Sequence, residues 1–464
     1  MIPPALPREL GSRLELFTDR FLIDSMKNLR FQLHTPQMQP LSSAPLKGTY
    51  ITILRDGDIF RAYYRLSHPE YNGPMHDGNP GELTCYAESK DGIEWEYPDL
   101  GLYKSISCGE FSCDWMPPNV ILAERPPFSH NFAPFIDTAP GVPPEERFKA
   151  VSGLSFRPLV KGPTDGLHAF VSGDGIHWRK KSDSPLIPFD PEWKNAFDSQ
   201  SSIFWSEVEQ KYVCYFRTMV QPGNLRGISR TDSPDFEHWS EPVPLNANMP
   251  DEHLYTNQTH PYCRAPHIYF ALPTRFTAGI VGSQQTGTIS VGSTDILFMS
   301  TRAGSASYDR LFTKALIRPG LDAARWVDRA NYAALNIIQS TPEELSIYHT
   351  HSGRRYTLRT DGFISVTADE ETGELLTAPL TFSGSELFLN YSTSAAGFIQ
   401  IEVLDESLNV LPGFSREEFS PRHGDEIEGK MSWTNKESLA ELAGKVIHLR
   451  FIMREADLYS LRFR

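Results

Sequence analysis

The densest run of chemistry-bearing side chains in this sequence is Asp251-Glu252-His253-Leu254-Tyr255-Thr256-Asn257-Gln258-Thr259-His260-Pro261-Tyr262. Carboxylates, imidazoles, phenols and carboxamides crowd a stretch with few aliphatic residues. It has little to bury and much that accepts, donates or transfers protons. The chain then turns into His267-Ile-Tyr-Phe-Ala-Leu-Pro-Thr-Arg275-Phe276, rich in aromatic residues and closing on an arginine, which reads as a strand. A polar loop feeding a buried strand is how β scaffolds present catalytic groups.

Asp198, in Phe197-Asp198-Ser199-Gln200, is a second carboxylate in a comparable setting. Two carboxylates on opposite walls of a sugar-sized pocket are what glycoside hydrolysis requires, one as acid for the leaving oxygen and one as base or nucleophile. Glu252, beside Tyr255, His253 and apolar walls, is expected to have the raised pKa of a general acid. Asp198 is its expected partner, and Asp19 is the candidate for a third member. Arg65, Arg217 and Arg275 end strands in similar fashion, and with Arg329 they would bind an anionic group or hold carboxylates ionised. His130, Asn131, His253, Tyr255, Asn257 and His260 complete the expected substrate-binding set. The histidines His130, His253, His260 and His267 have no regular metal-ligand spacing, so hydrogen bonding to substrate is preferred to a zinc site. No cofactor is expected, with a structural ion in a central channel left open.

These residues lie far apart and act together only if a fold gathers them. Short strands recur along the chain with tight turns between them, as in Tyr50-Ile-Thr-Ile-Leu54, Asp56-Gly-Asp58 and Ile59-Phe-Arg-Ala-Tyr-Tyr-Arg65. Ser89-Lys-Asp-Gly-Ile-Glu-Trp95, Ser172-Gly-Asp-Gly-Ile-His-Trp178 and Thr231-Asp-Ser-Pro-Asp-Phe-Glu-His-Trp239 mark the ends of three copies of one unit. Repeats of roughly 60 to 80 residues built from several short strands are the signature of a β-propeller. Five copies before residue 370 give a five-bladed expectation. The recurring motif reads as structural, a turn followed by a tryptophan that packs between blades. In a propeller the first strands of all blades converge on one depression, so the polar residues just ahead of them form the expected pocket.

At 464 residues with 12% aromatics, 36 prolines and 32 glycines, the chain suits an all-β protein of two domains. The expected boundary lies near Ala368-Asp-Glu-Glu-Thr-Gly-Glu374, giving a propeller over 1–369 and a β-sandwich over 370–464 whose ionisable residues are scattered. That second domain is expected to be structural. A net charge of −14 argues against nucleic-acid and anionic-membrane partners and leaves a carbohydrate ligand open. No apolar run approaches the roughly 18 to 20 residues that span a bilayer. No signal peptide is visible, so the reading is cytoplasmic, or periplasmic or secreted had a leader been removed. The five cysteines lack CxxC spacing and are expected to be mostly reduced, a local Cys108–Cys113 pair being the one alternative. Oligomeric state is not legible.

With its repeats, its polar strand starts and its carboxylates Asp198 and Glu252, the chain resembles the five-bladed propeller glycoside hydrolases related to β-fructosidases and arabinanases (families 32, 43 and 68). Fructosidase-type members carry an appended β-sandwich. The resemblance implies three carboxylates from different blades, with Asp198 matching the second aspartate and Glu252 the acid. At the first aspartate's place stands His130-Asn131, and the fructosidase motifs Trp-Met-Asn-Asp-Pro-Asn-Gly, Arg-Asp-Pro and Glu-Cys are absent. The function this implies is an exo-acting glycoside hydrolase on a plant or algal glycan, retaining or inverting. The alternatives are a carbohydrate-binding propeller without catalysis and, because the repeats resemble an Asp box, a sialidase-like hydrolase.

Overall fold

The computed structural model describes residues 6–154, 166–193, 196–221, 223–245, 247–280 and 292–464. Among them every regular element is a strand or a short 3-10 turn, so the fold is all-β as the composition implied. The chain divides into two compact units. One comprises Met1–Thr35, Thr341–Leu345 and Leu358–Arg464, the other Pro36–Ser340 and Ser346–Thr357.

The larger unit is a succession of antiparallel sheets, the first three built from strands that follow one another along the chain, which is propeller order. The first contains Thr49–Asp56, Ile59–Ser67, Glu82–Ser89 and Val120–Leu122. Its opening hairpin closes through Gly57-Asp58, with Asp56 opposite Ile59 and Gly57 at φ 62°, the left-handed conformation a two-residue turn needs. The second sheet runs through Ala133–Ile136, Phe148–Ser152, Gly166–Ser172 and Arg179–Lys180, and the third through Ser202–Ser206, Lys211–Val220, Leu225–Ser233 and Val243–Pro244. The fourth region forms two three-stranded pieces. One is His260–Tyr262, Ala265–Ala271 and Met299–Arg302, the other His253–Leu254, Thr274–Ala278 and Gly292–Ile296. The last sheet comprises Ile338–Thr341, Glu344–His349, Arg354–Arg359 and, from the other end of the chain, Gln37–Met38.

First strands of successive sheets lie side by side, and a parallel bridge between Thr52 and Leu335 joins the first sheet to the segment leading into the last. Strands such as Gly166–Ser172 are buried on both faces because neighbouring sheets cover them. The repeated motif forms the same turn three times. Asp91, Asp174 and Asp235 each accept two backbone N–H groups at 2.8–3.0 Å. Trp95 meets Tyr348 edge-on and Trp178 meets Tyr63 edge-on, contacts between different sheets, as the sequence predicts.

The smaller unit corrects the expected boundary. The N-terminal residues belong with the C-terminal region and not with the repeats. Ile23–Lys27 pairs with Gly373–Thr377, Arg30–Leu33 with Ile364–Ala368, and Glu15–Leu16 with His448–Phe463. Two long strands, Leu387–Leu404 and His448–Phe463, pair along most of their length through bulges. Local periodicity breaks at a bulge although the strand continues. The core of this unit includes Phe17, Leu375, Tyr391, Ile401, Trp433 and Phe451. All five cysteines are free thiols.

Candidate active site

A cavity of about 560 Å³ in the larger unit is lined by Tyr50, Arg65, Asp77, His130, Asp198, Tyr255, Asp328, Arg329, Tyr332, His349 and His351, among others. Most come from the first strands or just before them, where the propeller reading places the pocket. Tyr50 is in the first strand of the first sheet, and His130, Asp198 and Tyr332 precede the first strands of the second, third and last sheets. Phe197, directly before Asp198, has φ 63°, and Tyr50 has φ 48°. Left-handed backbone at bulky residues costs of order 1–3 kcal/mol and persists only where the surroundings enforce it.

Three of these side chains converge. One ligand-type atom from each of Asp77, His130 and Asp198 lies within 4.8 Å of the other two. His130 is 2% exposed, and its Nδ1 lies 2.9 and 3.0 Å from the two carboxylate oxygens of Glu82, itself buried. The Gly78 N–H also approaches Nδ1, at 3.3 Å, and Nε2 lies 3.9 Å from Asp77 Oδ1. The Arg65 guanidinium lies against the same ring, with Nη1 2.6 Å from Nδ1 and 3.2 Å from Nε2, and it sits 4.7 Å above Tyr50. Arg217, buried, reaches Asp198 Oδ2 at 3.1 Å, donates to the carbonyl of Tyr255 and stacks on the Tyr255 ring at 4.4 Å.

The aromatic wall is a row of near-parallel rings. Tyr332 stacks on Tyr50 at 5.9 Å and on Tyr255 at 5.6 Å. Burial raises the Tyr50 and Tyr332 phenols well above their ordinary range, so both are neutral hydroxyl donors. The Tyr332 hydroxyl is buried with no hydrogen-bond partner in the structure. Burial, reinforced by Arg65 and Arg329, lowers His351 to about 4, and burial with Arg325 lowers His349 to about 3, so both imidazoles are neutral at pH 7.

Other residues that the sequence nominated for the site lie elsewhere. Glu252 does not line the cavity. It accepts both prongs of Arg310 at 2.5 and 2.8 Å and the Met249 N–H at 3.0 Å, with Arg275 3.7 Å away. Burial alone would raise its pKa, but Arg310, the Met249 N–H and Arg275 outweigh burial and hold it below the ordinary range, the opposite of a general acid's requirement. Asp19 belongs to the smaller unit and accepts the Phe21 N–H at 2.9 Å. Asn131 spends its amide on the carbonyls of Gly153, Phe197 and Ser199, tying the second sheet to the third. Asn257 donates to the carbonyls of Gln200 and Tyr215. His260 donates from Nδ1 to the Gln258 carbonyl and accepts the Ile337 N–H. His253 accepts the Arg226 N–H, and Arg275 grips Asp295 at 2.9 and 2.6 Å. Arg329 lines the cavity, paired with Asp328 at 3.1 Å.

No family model matches the chain, and no curated protein matches it. Solved structures do. The chain is similar to carbohydrate-active enzymes. A structure described as a glycoside hydrolase is 14% identical, with a TM-score of 0.44, over 70% of this chain and 91% of that one. A family 43 arabinoxylan arabinofuranohydrolase from Bacillus subtilis, solved with cellotetraose, is 11% identical at a TM-score of 0.42, over 90% and 95%. An N-acetylgalactosamine deacetylase from F. plautii, solved with blood group B trisaccharide, is 11% identical at 0.40, over 91% and 95%. At these identities and scores the likeness carries no argument about what this chain does.

The residues that sequence reasoning missed are Asp77, Glu82, Tyr50 and Tyr332. The rule that nominated His130 and Asp198, residues at the starts of first strands, also covers Tyr50 and Tyr332 when applied to the first and last sheets. Asp77 carried no such signal, because Gly73-Pro-Met-His-Asp77-Gly-Asn-Pro80 reads as a turn.

Proposed function

We propose that this chain is a carbohydrate-active hydrolase, a glycoside hydrolase built on a five-bladed propeller and acting from the end of a plant or algal glycan. The observation that carries the reading is the convergence of Asp77, His130 and Asp198 in a cavity walled by tyrosines. The volume of about 560 Å³ accommodates a terminal sugar and part of its neighbour. Asp198 keeps the role expected of it as one hydrolytic carboxylate, its charge compensated by Arg217. Asp77 replaces Glu252 as the second, because Glu252 is committed to Arg310. Tyr255, Tyr332 and the exposed guanidinium of Arg329 supply donors for sugar hydroxyl groups.

The test is turnover of a panel of aryl glycosides and plant and algal oligosaccharides by wild type, Asp198→Asn and Asp77→Asn. Loss of a positioned acid–base group lowers kcat by about 10²–10⁴-fold. Wild-type turnover in both variants removes the two residues from the mechanism. Tight binding of an oligosaccharide that stays intact makes the cavity a binding site and not a catalytic one.

A further inference from the structure

We infer that a second cavity, separated from the first by the turn Ala323–Trp326, binds the carboxylate or sulfate group of an acidic glycan. Its volume is about 460 Å³. The turn is a shared wall, with Asp322 and Arg325 lining the first cavity and Gly320 and Trp326 the second. The floor is one face of a two-stranded ladder, where Arg275 lies opposite Asp295 and Thr277 opposite Ser293. Arg275 grips Asp295 and also donates to the Thr313 carbonyl at 2.9 Å. Leu316 and Ile317 bond to Ile296 of the same ladder at 2.8 and 3.1 Å. The segment that carries Lys314 and Arg318 is thereby fixed before any ligand arrives, which lowers the cost of binding one.

The charges in this cavity do not cancel. Arg275 neutralises Asp295, the one carboxylate among the lining residues. Lys314 and Arg318 remain, and neither side chain makes an ion pair or hydrogen bond among the described residues. Residues 281–291, between the two floor strands in the chain, contain no aspartate or glutamate. In a chain of net charge −14, an unpaired lysine and arginine in one concavity attract anions locally. A guanidinium takes a carboxylate or sulfate through two parallel N–H donors, and an ammonium adds a point charge. Independently, the Ser293 hydroxyl on the floor is buried without a hydrogen-bond partner, in a residue only 7% exposed. Such a buried donor calls for an acceptor, and an anionic oxygen is one. Trp326, half-buried and held by its indole N–H on the Gly320 carbonyl at 2.9 Å, adds the aromatic wall that ligand sites favour. That a glycan carries the anion rests on the reading of the neighbouring cavity, whereas the anion site itself does not.

Calorimetric titration of the full-length chain with trigalacturonate, with its methyl ester and with galactose 4-sulfate tests the site. One of the two anions is expected to bind, and the neutral ester to bind about tenfold more weakly or worse. Arg318→Gln and Lys314→Gln should each weaken anion binding about tenfold. Both side chains are exposed, so the variants keep the fold, checked by circular dichroism. Affinity should also drop about fivefold between roughly 0.05 M and 0.3 M NaCl. Preference for trigalacturonate assigns the anion to a uronic acid, and preference for galactose 4-sulfate assigns it to a sulfate ester. No binding of either anion, equal binding of the ester, or wild-type affinity in both variants overturns the site. Hydrolysis is judged separately, since Asp77→Asn and Asp198→Asn should bind the anion as wild type does while losing turnover. Turnover without anion binding sinks the second cavity alone, and anion binding without turnover of any glycan sinks the hydrolase reading alone.

Discussion

Glu252 and Arg310 face each other as a two-pronged ion pair with contacts of 2.5 and 2.8 Å, each side chain only 6% exposed. Arg310 also donates to the Ala247 carbonyl at 3.0 Å, so the pair anchors the segment that carries Tyr255 toward the cavity. Removing one partner of a buried pair strands the other charge and costs about 3–5 kcal/mol. Glu252→Ala is therefore expected to lower stability by that order in urea unfolding. Because the folded pKa is depressed, the contribution is present above the ordinary carboxylate range and is lost as pH falls through the lowered value. A Glu252→Ala variant as stable as wild type but inactive would return Glu252 to the catalytic role that the sequence suggested.

Tyr332 offers a cleaner separation of binding from folding. Its hydroxyl makes no hydrogen bond in the structure, so Tyr332→Phe deletes a desolvated donor and keeps the stacking on Tyr50 and Tyr255. Stability is expected to stay unchanged or to rise by up to about 1 kcal/mol, while affinity for the cavity's ligand falls by about tenfold, the worth of one hydrogen bond. A variant that binds as wild type does would show that the hydroxyl never meets a ligand.

Buried His260 and His349, with the more exposed His351, govern the larger unit's stability in acid. His260 is lowered to about 4 by burial, His351 to about 4 and His349 to about 3. Between these values and about 6.5 the unfolded chain binds more protons than the folded one, so stability falls as pH drops through that window. The loss is complete below the folded values. A midpoint temperature that declines steeply from pH 6.5 to 4 is expected, and His260→Gln should flatten part of the slope. A flat profile across that range would contradict it.

The strand ladders were legible because short runs of aromatic and β-branched residues and the Ser-x-Asp-Gly turn are local signals. Asp198 and His130 were legible because a propeller fixes where first strands begin. What escaped the sequence depends on distant partners. Nothing near Glu252 announces Arg310, and without it a carboxylate among aromatic residues reads as a general acid. Nothing in Gln37–Met38 announces that its partner is Arg354–Arg359, so the crossing of the N-terminal segment from one unit to the other was invisible. Asp77 is a turn residue by composition, and only the folded loop brings it to His130.

Phe236 tests two opposed effects in one residue. In the first two copies of the repeated turn Gly92 and Gly175 take φ 68° and 77°, and in the third Phe236 takes φ 68°. Replacing it with glycine relieves about 1–2 kcal/mol of left-handed strain. The ring, however, is 2% exposed and packs on Tyr212 at 4.9 Å and on Trp239 at 6.0 Å. Deleting such a side chain costs about 3–5 kcal/mol, so Phe236→Gly is expected to destabilise by about 2–3 kcal/mol in urea unfolding. A stabilised variant would mean that backbone strain outweighs packing there.

Truncation after residue 369 is expected to fail, because the smaller unit takes strands from both ends of the chain. A 1–369 fragment keeps Ile23–Lys27 but loses its partner Gly373–Thr377, and keeps Glu15–Leu16 but loses His448–Phe463. Leu10, Phe17 and Leu22, each at most 1% exposed in the core of that unit, would meet water. Burying each such side chain is worth about 1.5–3 kcal/mol, and the freed strand edges are templates for pairing with other chains. The fragment should aggregate or fail to accumulate. A 36–357 fragment, which removes the orphaned strands as well, should give more soluble protein than 1–369. Size-exclusion chromatography of the two decides it: a monomeric, cooperatively melting 1–369 fragment would show that the N-terminal strands do not need their C-terminal partners.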